Sequence, residues 1–499
     1  MKLIDIRGGK LAAALITLAI GAISVLAQAP ETNAPVTHRD RVYVADQTSN
    51  TVSVIDPVDN KLLGLLKLGD PRPNVLSPLY KGELNVHGLG FSPDHRTLAV
   101  ISTGSNTVTL VDTATNKVKG TIYVGRSPHE GFFTPDGKEL WVVVRGEDYI
   151  SVIDPAQMRE VRRVKTANGP GMVVFSPDGK LAYVCHSFTP EFDVVDVRRH
   201  EVIKRIPVIS PFSPNLAVTA DGAEVWMTHK DVGKTTVIDA RTMTVKYVMD
   251  TGAVTNHVNF ARTKEGVLAY VTVGGENKVK VYKTGTSAPK QVATIMTGAL
   301  PHGIWPSDDS TRIYIALENG DGVDVIDTAQ QKVIATIKSG QMPQALVFIS
   351  NAAPEQSAIN LEPLERAVEN IQLKFMPPAG TGKPMGNPTI KNSAAGFGVI
   401  RPLGLLDGLE VNFSGLEAGQ EYQLELAGGT QINKTEALTK VKADGKGKAM
   451  GQALGPLRQV VQADVPEDAS APVRRRLVLR HMTGNQTGEV VLESGLEKH

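Results

Sequence analysis

The sequence predicts an all-β protein, a seven-bladed β-propeller followed by a small antiparallel β-sandwich-like domain. Three observations lead to this prediction. A pattern recurs seven times at intervals of 42 to 45 residues. Its β-branched and aromatic runs are bounded by Gly, Pro, Asn and Asp, as strands are. A further series of strand-like runs follows without the repeat. A chain of 499 residues is too long for one ordinary core, and a ring of small blades accounts for most of it.

The first element is an export signal, predicted over residues 1–27. Basic residues precede an uncharged stretch from Leu11 to Leu26, and small residues surround Ala27. This is the three-part pattern of a secretory signal. The stretch is shorter than the roughly 20 apolar residues of a membrane span, although an uncleaved anchor stays open as an alternative. We therefore expect a periplasmic or secreted protein with no transmembrane segment after signal cleavage.

The second element is the propeller, predicted over residues 41–351 from two signatures that run in step. The first is an anchor residue before a Pro-Asp-Gly-type turn, at Phe91, Phe133, Phe175, Val218, Phe260, Trp305 and Phe348. The second is an aspartate that closes an alternating apolar stretch, at Asp56, Asp112, Asp154, Asp196, Asp239 and Asp327. Four short strands fit into each repeat, which is the content of a propeller blade. We expect the recurring aspartates to accept hydrogen bonds from turn amides.

The two ends of the array are expected to share one blade. The first repeat begins at Arg41-Val42-Tyr43-Val44 with no inner strand before it, and the last inner strand, residues 345–349, has no further strand after it. The last strand should therefore complete the first blade, which removes a free sheet edge.

The repeat resembles that of the YVTN-type seven-bladed β-propeller proteins, which are exported. The matching residues are Tyr43-Val44-Ala45-Asp46 followed by Asn50-Thr51-Val52-Ser53-Val54-Ile55-Asp56, and Ser105-Asn106-Thr107-Val108 followed by Val111-Asp112. The resemblance implies the propeller fold for residues 41–351. It leaves the function open, because members of this class include surface-layer, binding and enzyme-like proteins.

The candidate site is a funnel of histidines at one end of the central channel. The first strand of each blade lines that channel, and the residues three or four positions before the anchors include His87, His129, His257, His302 and Gln344. The ends of the second strands should reach the same rim, and they carry Arg145, His186 and His229. Imidazole binds metal ions and moves protons. We predict that these eight residues line a ligand-binding rim, with His87, His129, His257 and His302 as candidate metal ligands.

A structural role remains the alternative for these histidines. Pro-His-Gly before an inner strand is common in this repeat class, where the histidine hydrogen-bonds an adjacent blade, and His186 and His229 also suit rim solvation. Cys185 adjoins His186, but neighbours on a strand point to opposite faces, so we expect a buried structural thiol.

Charge and motifs narrow the functional interpretation. The 53 basic and 52 acidic residues argue against a nucleic-acid partner. The sequence contains no nucleophile elbow, Walker loop, dinucleotide fingerprint, zinc-protease motif or haem-attachment motif. We expect an exported propeller that binds a small ligand or an envelope protein through its funnel. The alternative is a periplasmic enzyme, or a metal or haem-type cofactor protein, that uses the same histidines for oxidoreductase, lactonase or lyase-like chemistry.

The last two elements are a linker over residues 352–366 and a β-sandwich-like accessory domain over residues 367–499. About seven short strand-like stretches separated by Gly and Pro turns predict a small sandwich. We find no catalytic constellation in this region, so a docking or accessory role is expected.

Overall fold

The computed structural model describes residues 34–69, 84–286, 288–354, 357–364, 370–378, 394–402, 407–428, 435–455, 457, 461 and 475–496. The predicted export signal lies outside these residues. Within them the protein is built from strands, with one short 3-10 turn at Gly274–Glu276. This part of the chain contains no helix with the length and apolar character that a membrane crossing requires.

Seven four-stranded antiparallel sheets form the propeller that the sequence predicts. Blade 1 contains β1 (Arg41–Asp46), β2 (Thr51–Asp56) and β3 (Lys61–Lys67), and blade 2 contains β4 (Val86–Phe91), β5 (Thr97–Ser102), β6 (Thr107–Asp112) and β7 (Lys117–Tyr123). Blade 3 contains β8 (Pro128–Phe133), β9 (Leu140–Val144), β10 (Tyr149–Asp154) and β11 (Arg159–Lys165). Blade 4 contains β12 (Pro170–Phe175), β13 (Leu181–His186), β14 (Glu191–Asp196) and β15 (Glu201–Pro207). Blade 5 contains β16 (Leu216–Val218), β17 (Glu224–His229), β18 (Lys234–Asp239) and β19 (Thr244–Asp250). Blade 6 contains β20 (Thr255–Thr263), β21 (Gly266–Val273), β22 (Lys278–Lys283) and β23 (Lys290–Met296). Blade 7 contains β24 (Pro301–Pro306), β25 (Arg312–Leu317), β26 (Gly322–Asp327) and β27 (Lys332–Lys338).

The ring closes as predicted, because the last propeller strand, β28 (Pro343–Ile349), supplies the inner strand of blade 1. It pairs antiparallel with β1, with Val347 opposite Tyr43 and Phe348 opposite Val42. Blade 1 thus contains strands from both ends of the array, in the order β28-β1-β2-β3.

The position of a strand within its blade determines its burial. All six residues of β5, a second strand, are buried, because both of its faces pack against neighbouring blades. The outermost strand of the same blade, β7, is exposed at most positions and buries only Ile122. The interior strands therefore have continuous apolar runs, whereas apolar and charged residues alternate along the outer strands.

The recurring aspartates organise turns, which confirms the interpretation made from the sequence. Asp154 Oδ1 accepts hydrogen bonds from the backbone amides of Ala156 and Gln157, each at 2.9 Å. In the turn after Phe133, Asp136 Oδ1 accepts from the Thr134 hydroxyl at 2.7 Å and from the Lys138 backbone amide at 3.2 Å. These carboxylates satisfy local donors and form no shared array.

Residues 357–364, which we call the strap, run along the outer edge of blade 1. Leu65 in β3 and Glu362 exchange two backbone hydrogen bonds of 2.8 and 2.9 Å. Asn360 Nδ2 donates to the carbonyl of Thr115 in blade 2 at 2.7 Å. The predicted linker is therefore fixed to the propeller along its described part.

The C-terminal region forms one eight-stranded antiparallel sheet. Its strands are β29 (Ile371–Met376), β30 (Ala395–Pro402), β31 (Asp407–Ser414), β32 (Glu421–Gly428), β33 (Thr435–Lys442), β34 (Ala449–Gly455), β35 (Arg475–Thr483) and β36 (Gln486–Leu496). The order is β33-β32-β35-β36-β29-β30-β31-β34, and the end strands β33 and β34 approach each other. The sheet thus curls into a nearly closed barrel around a single apolar core, a variant of the predicted sandwich with one strand more than expected.

The barrel contacts the propeller beside the loops between the second and third strands of the blades. Asn370 Nδ2 donates to Asp321 Oδ2 at 2.7 Å, and Lys446 lies 3.5 Å from Asp250. Lys448 forms an ion pair with Glu276. These loops lie on the rim at which the inner strands begin, so the barrel covers the face that carries the predicted funnel.

Candidate functional site

The site is built on inner strands that are irregular at their first residues. In β4, β8, β20 and β24 the pairing with the second strand shifts register near the strand start. A bulge bends a strand and changes the direction of its side chains, and bulges are common beside functional sites. The four irregular segments carry His87, His129, His257 and His302, which together we call the histidine cluster.

Glycine after a histidine lets neighbouring inner strands approach closely. A Cβ at Gly88 would lie 2.2 Å from the carbonyl oxygen of His129 in the next blade. A Cβ at Gly303 would lie 2.3 Å from the carbonyl oxygen of Gln344. Neither distance is possible for a real side chain, so only glycine fits after the histidine in β4 and β24. The neighbouring inner strands can therefore lie close together, which makes the channel narrow at this level.

The four imidazoles meet at the channel mouth, although they come from blades 2, 3, 6 and 7. The ring centroids of His129 and His87 are 4.2 Å apart, and those of His302 and His257 are 4.5 Å apart. His87 and His302 are 6.2 Å apart and join the two pairs. The structure therefore brings together the four residues that the sequence analysis selected as candidate metal ligands.

Three of these rings are oriented through Nδ1. Nδ1 of His129 lies 2.6 Å from the carbonyl oxygen of Gly171, and Nδ1 of His302 lies 3.1 Å from that of Gln344. Nδ1 of His87 lies 2.9 Å from Gln47 Oε1. Since these oxygens only accept, each Nδ1 carries the proton and each Nε2 keeps its lone pair. The contact with an adjacent blade proposed as the structural alternative exists, and it also fixes the tautomer.

Burial keeps the cluster neutral. Desolvation lowers the pKa of His87 and His129 well below the usual value, and the positive charge of Arg145 lowers both further. Desolvation acts in the same way on the pKa of His257 and His302, with Lys230 as an additional cause. The Nε2 atoms of His87 and His257 are buried and accept no hydrogen bond from the described residues. Neutral imidazoles with free lone pairs are available as ligands.

Glu130 joins the site, and the sequence analysis missed it. One carboxylate oxygen of Glu130 and one ring nitrogen each of His87 and His129 all lie within 4.8 Å of one another. Burial raises the pKa of Glu130 well above its usual value, against a hydrogen bond from the Leu89 amide and the charge of Arg145. Strand alternation would send residues 129 and 130 to opposite faces, but the bulge between Pro128 and Gly131 interrupts that alternation.

Two histidines predicted for the rim, His186 and His229, form hydrogen bonds within their own blades instead. His229 Nδ1 lies 2.8 Å from Ser213 Oγ, and its Nε2 lies 2.6 Å from Thr236 Oγ1, so both nitrogens have partners. His186 is fully buried, with Nδ1 2.8 Å from the carbonyl oxygen of Glu191. Both side chains are fully buried and hydrogen-bonded within their own blades, so the rim solvation expected as the alternative for His186 and His229 is wrong.

The other predicted residues occupy different positions around the cluster. Arg145 follows β9 and acts electrostatically on His87 and His129. Gln344 contributes its carbonyl oxygen to His302, while its own buried Nε2 has no partner among the described residues. Cys185 is fully buried, as expected, and burial raises the pKa of its thiol.

Charged groups of the barrel interact with charged groups of the propeller beside the cluster. Glu318 Oε2, on the propeller, lies 4.0 Å from His302 Nε2. Glu410, in β31 of the barrel, has a pKa raised by burial and by the charge of Glu318, while Arg401 and Lys230 act in the opposite direction. The site thus includes groups from both domains, a feature that the repeat pattern could not indicate.

Comparisons with known proteins agree with this fold. The sequence model of the YNCE-like beta-propeller family matches residues 86–344. No curated protein matches the chain significantly.

Solved structures give the same picture at low identity. A functionally unknown protein from Desulfotomaculum acetoxidans DSM 771 is 13% identical, with a TM-score of 0.54, and the match covers 62% of this chain and 99% of that one. The periplasmic gluconolactonase PpgL of Pseudomonas aeruginosa is 18% identical, with a TM-score of 0.50, again over 62% and 99%. Kuenenia stuttgartiensis hydrazine synthase is 21% identical, with a TM-score of 0.48, over 52% of this chain and 89% of that one. At these identities the similarity to the first two structures concerns the fold alone.

Proposed function

The chain belongs to the YNCE-like β-propeller family, and on that premise we propose that it is an exported binding protein whose funnel holds a transition-metal ion. His87, His129 and Glu130 are the proposed primary ligands. His302 and His257 stand next to them and complete the imidazole set. Export is proposed from the N-terminal sequence pattern.

The observation that carries the proposal is the convergence of three donor atoms. Ring nitrogens of His87 and His129 and an oxygen of Glu130 lie within 4.8 Å of one another. Two ligands bound at about 2.1 Å in tetrahedral geometry are about 3.4 Å apart. Side-chain adjustment of roughly 1 Å is therefore enough to close the three donors around one ion.

The orientation of the rings supports the same function. Metal-bound histidines usually donate the second ring nitrogen to a carbonyl or carboxylate, which fixes the tautomer and raises ligand basicity. His129 meets this condition through Gly171, and His302 meets it through Gln344. Because burial lowers the pKa of both rings, protons compete weakly with a metal ion for Nε2.

The donor set selects the class of metal. Two imidazoles with one carboxylate suit Zn²⁺, Fe²⁺, Ni²⁺ and Cu²⁺, whereas Mg²⁺ and Ca²⁺ prefer oxygen ligands throughout. We propose Zn²⁺ as the reference ion for testing. The similarity to a gluconolactonase is one of fold, so we propose no reaction.

The test is metal titration of the purified full chain after treatment with a chelator. We expect one equivalent of Zn²⁺ to bind, and Co²⁺ to give the visible spectrum of a nitrogen- and oxygen-ligated site. His129→Ala and Glu130→Gln should each weaken binding at least tenfold. The control is His95→Ala, a partly buried histidine that contacts the Ser350 carbonyl oxygen at 2.8 Å outside the cluster.

Two results would overturn the proposal. One is wild-type protein that binds no transition metal after the chelator is removed. The other is a His129→Ala protein that is folded and binds Zn²⁺ as tightly as His95→Ala.

A further inference from the structure

We propose that the barrel and the propeller together enclose a second subsite beside the metal ligands, and that this subsite binds a small oxyanion, either a carboxylate or a phosphate. Its anchoring residue is Arg401 of the barrel, with Arg145 and Lys230 of the propeller opposite. The charge argument below rests on the proposed metal function, whereas the argument from unpaired polar groups does not.

The first step is the face of the barrel that is turned to the propeller. Ile400, Leu409 and Val411 belong to the apolar core of the barrel, so the alternating residues Arg401 and Glu410 point outward. Outward residues of a small barrel are normally exposed to solvent. Here Arg401 is only 9% exposed, and Glu410 responds to the charges of Lys230 and Glu318 in the propeller.

The second step is the unsatisfied polar groups on this face. Nε and Nη2 of Arg401 are buried and have no hydrogen-bond partner among the described residues. Asn412, which is 3% exposed and lies two residues from Glu410 on the same side of β31, lacks partners for both amide atoms. Two buried guanidinium nitrogens without partners are unfavourable, so such groups mark the place of a bound ion, water or ligand.

The third step is the convergence of the propeller cations on the same region. Arg145 lowers the pKa of His87, His129 and His302, and Lys230 lowers the pKa of His87, His257 and His302. Neither cation forms an ion pair with any described residue. Both therefore act electrostatically on the histidine cluster without a direct ion-pair partner among the described residues.

The fourth step is the charge count of the enclosed site. Arg145, Lys230 and Arg401 are matched in number by three carboxylates, Glu130, Glu318 and Glu410. Even if all three carboxylates are ionised, a divalent metal ion leaves two positive charges in excess. An anion is the ligand that neutralises them, and the forked guanidinium of Arg401 suits two oxygens of a carboxylate or phosphate.

The experiment measures anion binding to the full chain by calorimetry, with and without Zn²⁺. The probes are inorganic phosphate, malonate, and malonamide as an uncharged analogue of malonate. We expect malonate or phosphate to bind and malonamide not to bind. The preference between the two anions identifies which oxyanion the subsite takes. Metal loading should tighten anion binding at least tenfold, and the anion should tighten Zn²⁺ binding by the same factor.

Two variants separate the subsite from general effects. Arg401→Met keeps an unbranched apolar side chain without the charge and should weaken anion binding at least tenfold, and Arg401→Lys should restore part of it. The control is Arg475→Met, a partly exposed barrel arginine that pairs with Glu436. If Arg401→Met fails to fold by circular dichroism, Lys230→Met gives the same test from the propeller side.

The outcomes distinguish this inference from the proposed metal function. Zn²⁺ binding without any anion binding, or anion binding that is equal in Arg401→Met and wild type, would overturn the oxyanion subsite and leave the metal site intact. Anion binding that depends on Arg401 in a protein that binds no Zn²⁺ would support the subsite and overturn the metal function.

Discussion

Gly303 links the packing of the propeller to the orientation of the candidate ligands, and its replacement by alanine is the most direct test of the site geometry. A Cβ at this position would lie 2.3 Å from the carbonyl oxygen of Gln344, whereas non-bonded heavy atoms are comfortable at about 3.5 Å. Strands β24 and β28 must therefore move apart by about 1 Å. The same carbonyl oxygen accepts from His302 Nδ1 at 3.1 Å, so this hydrogen bond would be lost.

Both effects can be given a magnitude. Overpacking of a tight interior contact costs about 1–3 kcal/mol, and a buried polar group left unpaired adds about 1–3 kcal/mol. We expect Gly303→Ala to lower the free energy of unfolding by about 2–6 kcal/mol. Loss of the group that orients a metal-bound histidine typically weakens affinity by about 10- to 100-fold, which is the change expected for Zn²⁺.

Urea denaturation and Zn²⁺ titration of the same samples provide the two measurements. The matched control is Gly445→Ala in a barrel turn, where a new Cβ would meet no atom within 4 Å, so stability should change by less than about 0.5 kcal/mol. If Gly303→Ala has the midpoint and the Zn²⁺ affinity of Gly445→Ala, the inner strands are not as close as described, and the proposed cluster geometry is refuted.

Three further predictions concern pH, a buried histidine and the strap. The buried ring of His129 stays neutral while the unfolded chain takes up a proton below pH 6.5, so wild type loses stability as pH falls from 6.5 to 5. In His129→Gln this slope, measured by urea titrations, should be smaller by about 1.4 kcal/mol per pH unit, and equal slopes would contradict the burial of the ring. His229→Gln should lower stability by about 1–3 kcal/mol through Ser213 and Thr236 yet bind Zn²⁺ normally, and a tenfold loss of affinity would place it in the site. Gly64→Ala would place a Cβ 2.8 Å from the Glu362 carbonyl oxygen, so amide exchange in the strap should accelerate without a change in Zn²⁺ affinity, and unchanged exchange would show that the strap tolerates the methyl group.

The propeller was predictable because its information is local and repeated. An anchor such as Phe133 and a turn aspartate such as Asp136 recur at a fixed period, and each has the same packing or hydrogen-bonding task in every blade. Closure through β28 followed from the missing inner strand before Arg41. The barrel was predicted less well, because strands such as β34 alternate small residues with Met450, Gln452 and Leu454 and have no repeat to align them.

The candidate site was predictable only in part. The period placed the histidine cluster at the channel mouth, since the start of each inner strand lies at the same height. Glu130 was missed because strand alternation excludes it, and only the paired register reveals the bulge that turns it inward. Arg401 and Glu410 belong to the barrel, and no local sequence pattern indicates which propeller residues they interact with.

The closure of blade 1 also imposes an order on assembly. During synthesis β1 emerges early and presents an unpaired backbone edge until Pro343–Ile349 has been made, some three hundred residues later. Exposed strand edges recruit other chains, so a nascent or truncated chain that ends before β28 should be prone to aggregation. The strap follows β28 in the chain and pairs with the outer strand of the same blade at Leu65. A single blade therefore receives strands from both ends of the propeller sequence, and the ring can close only when the whole propeller has been made.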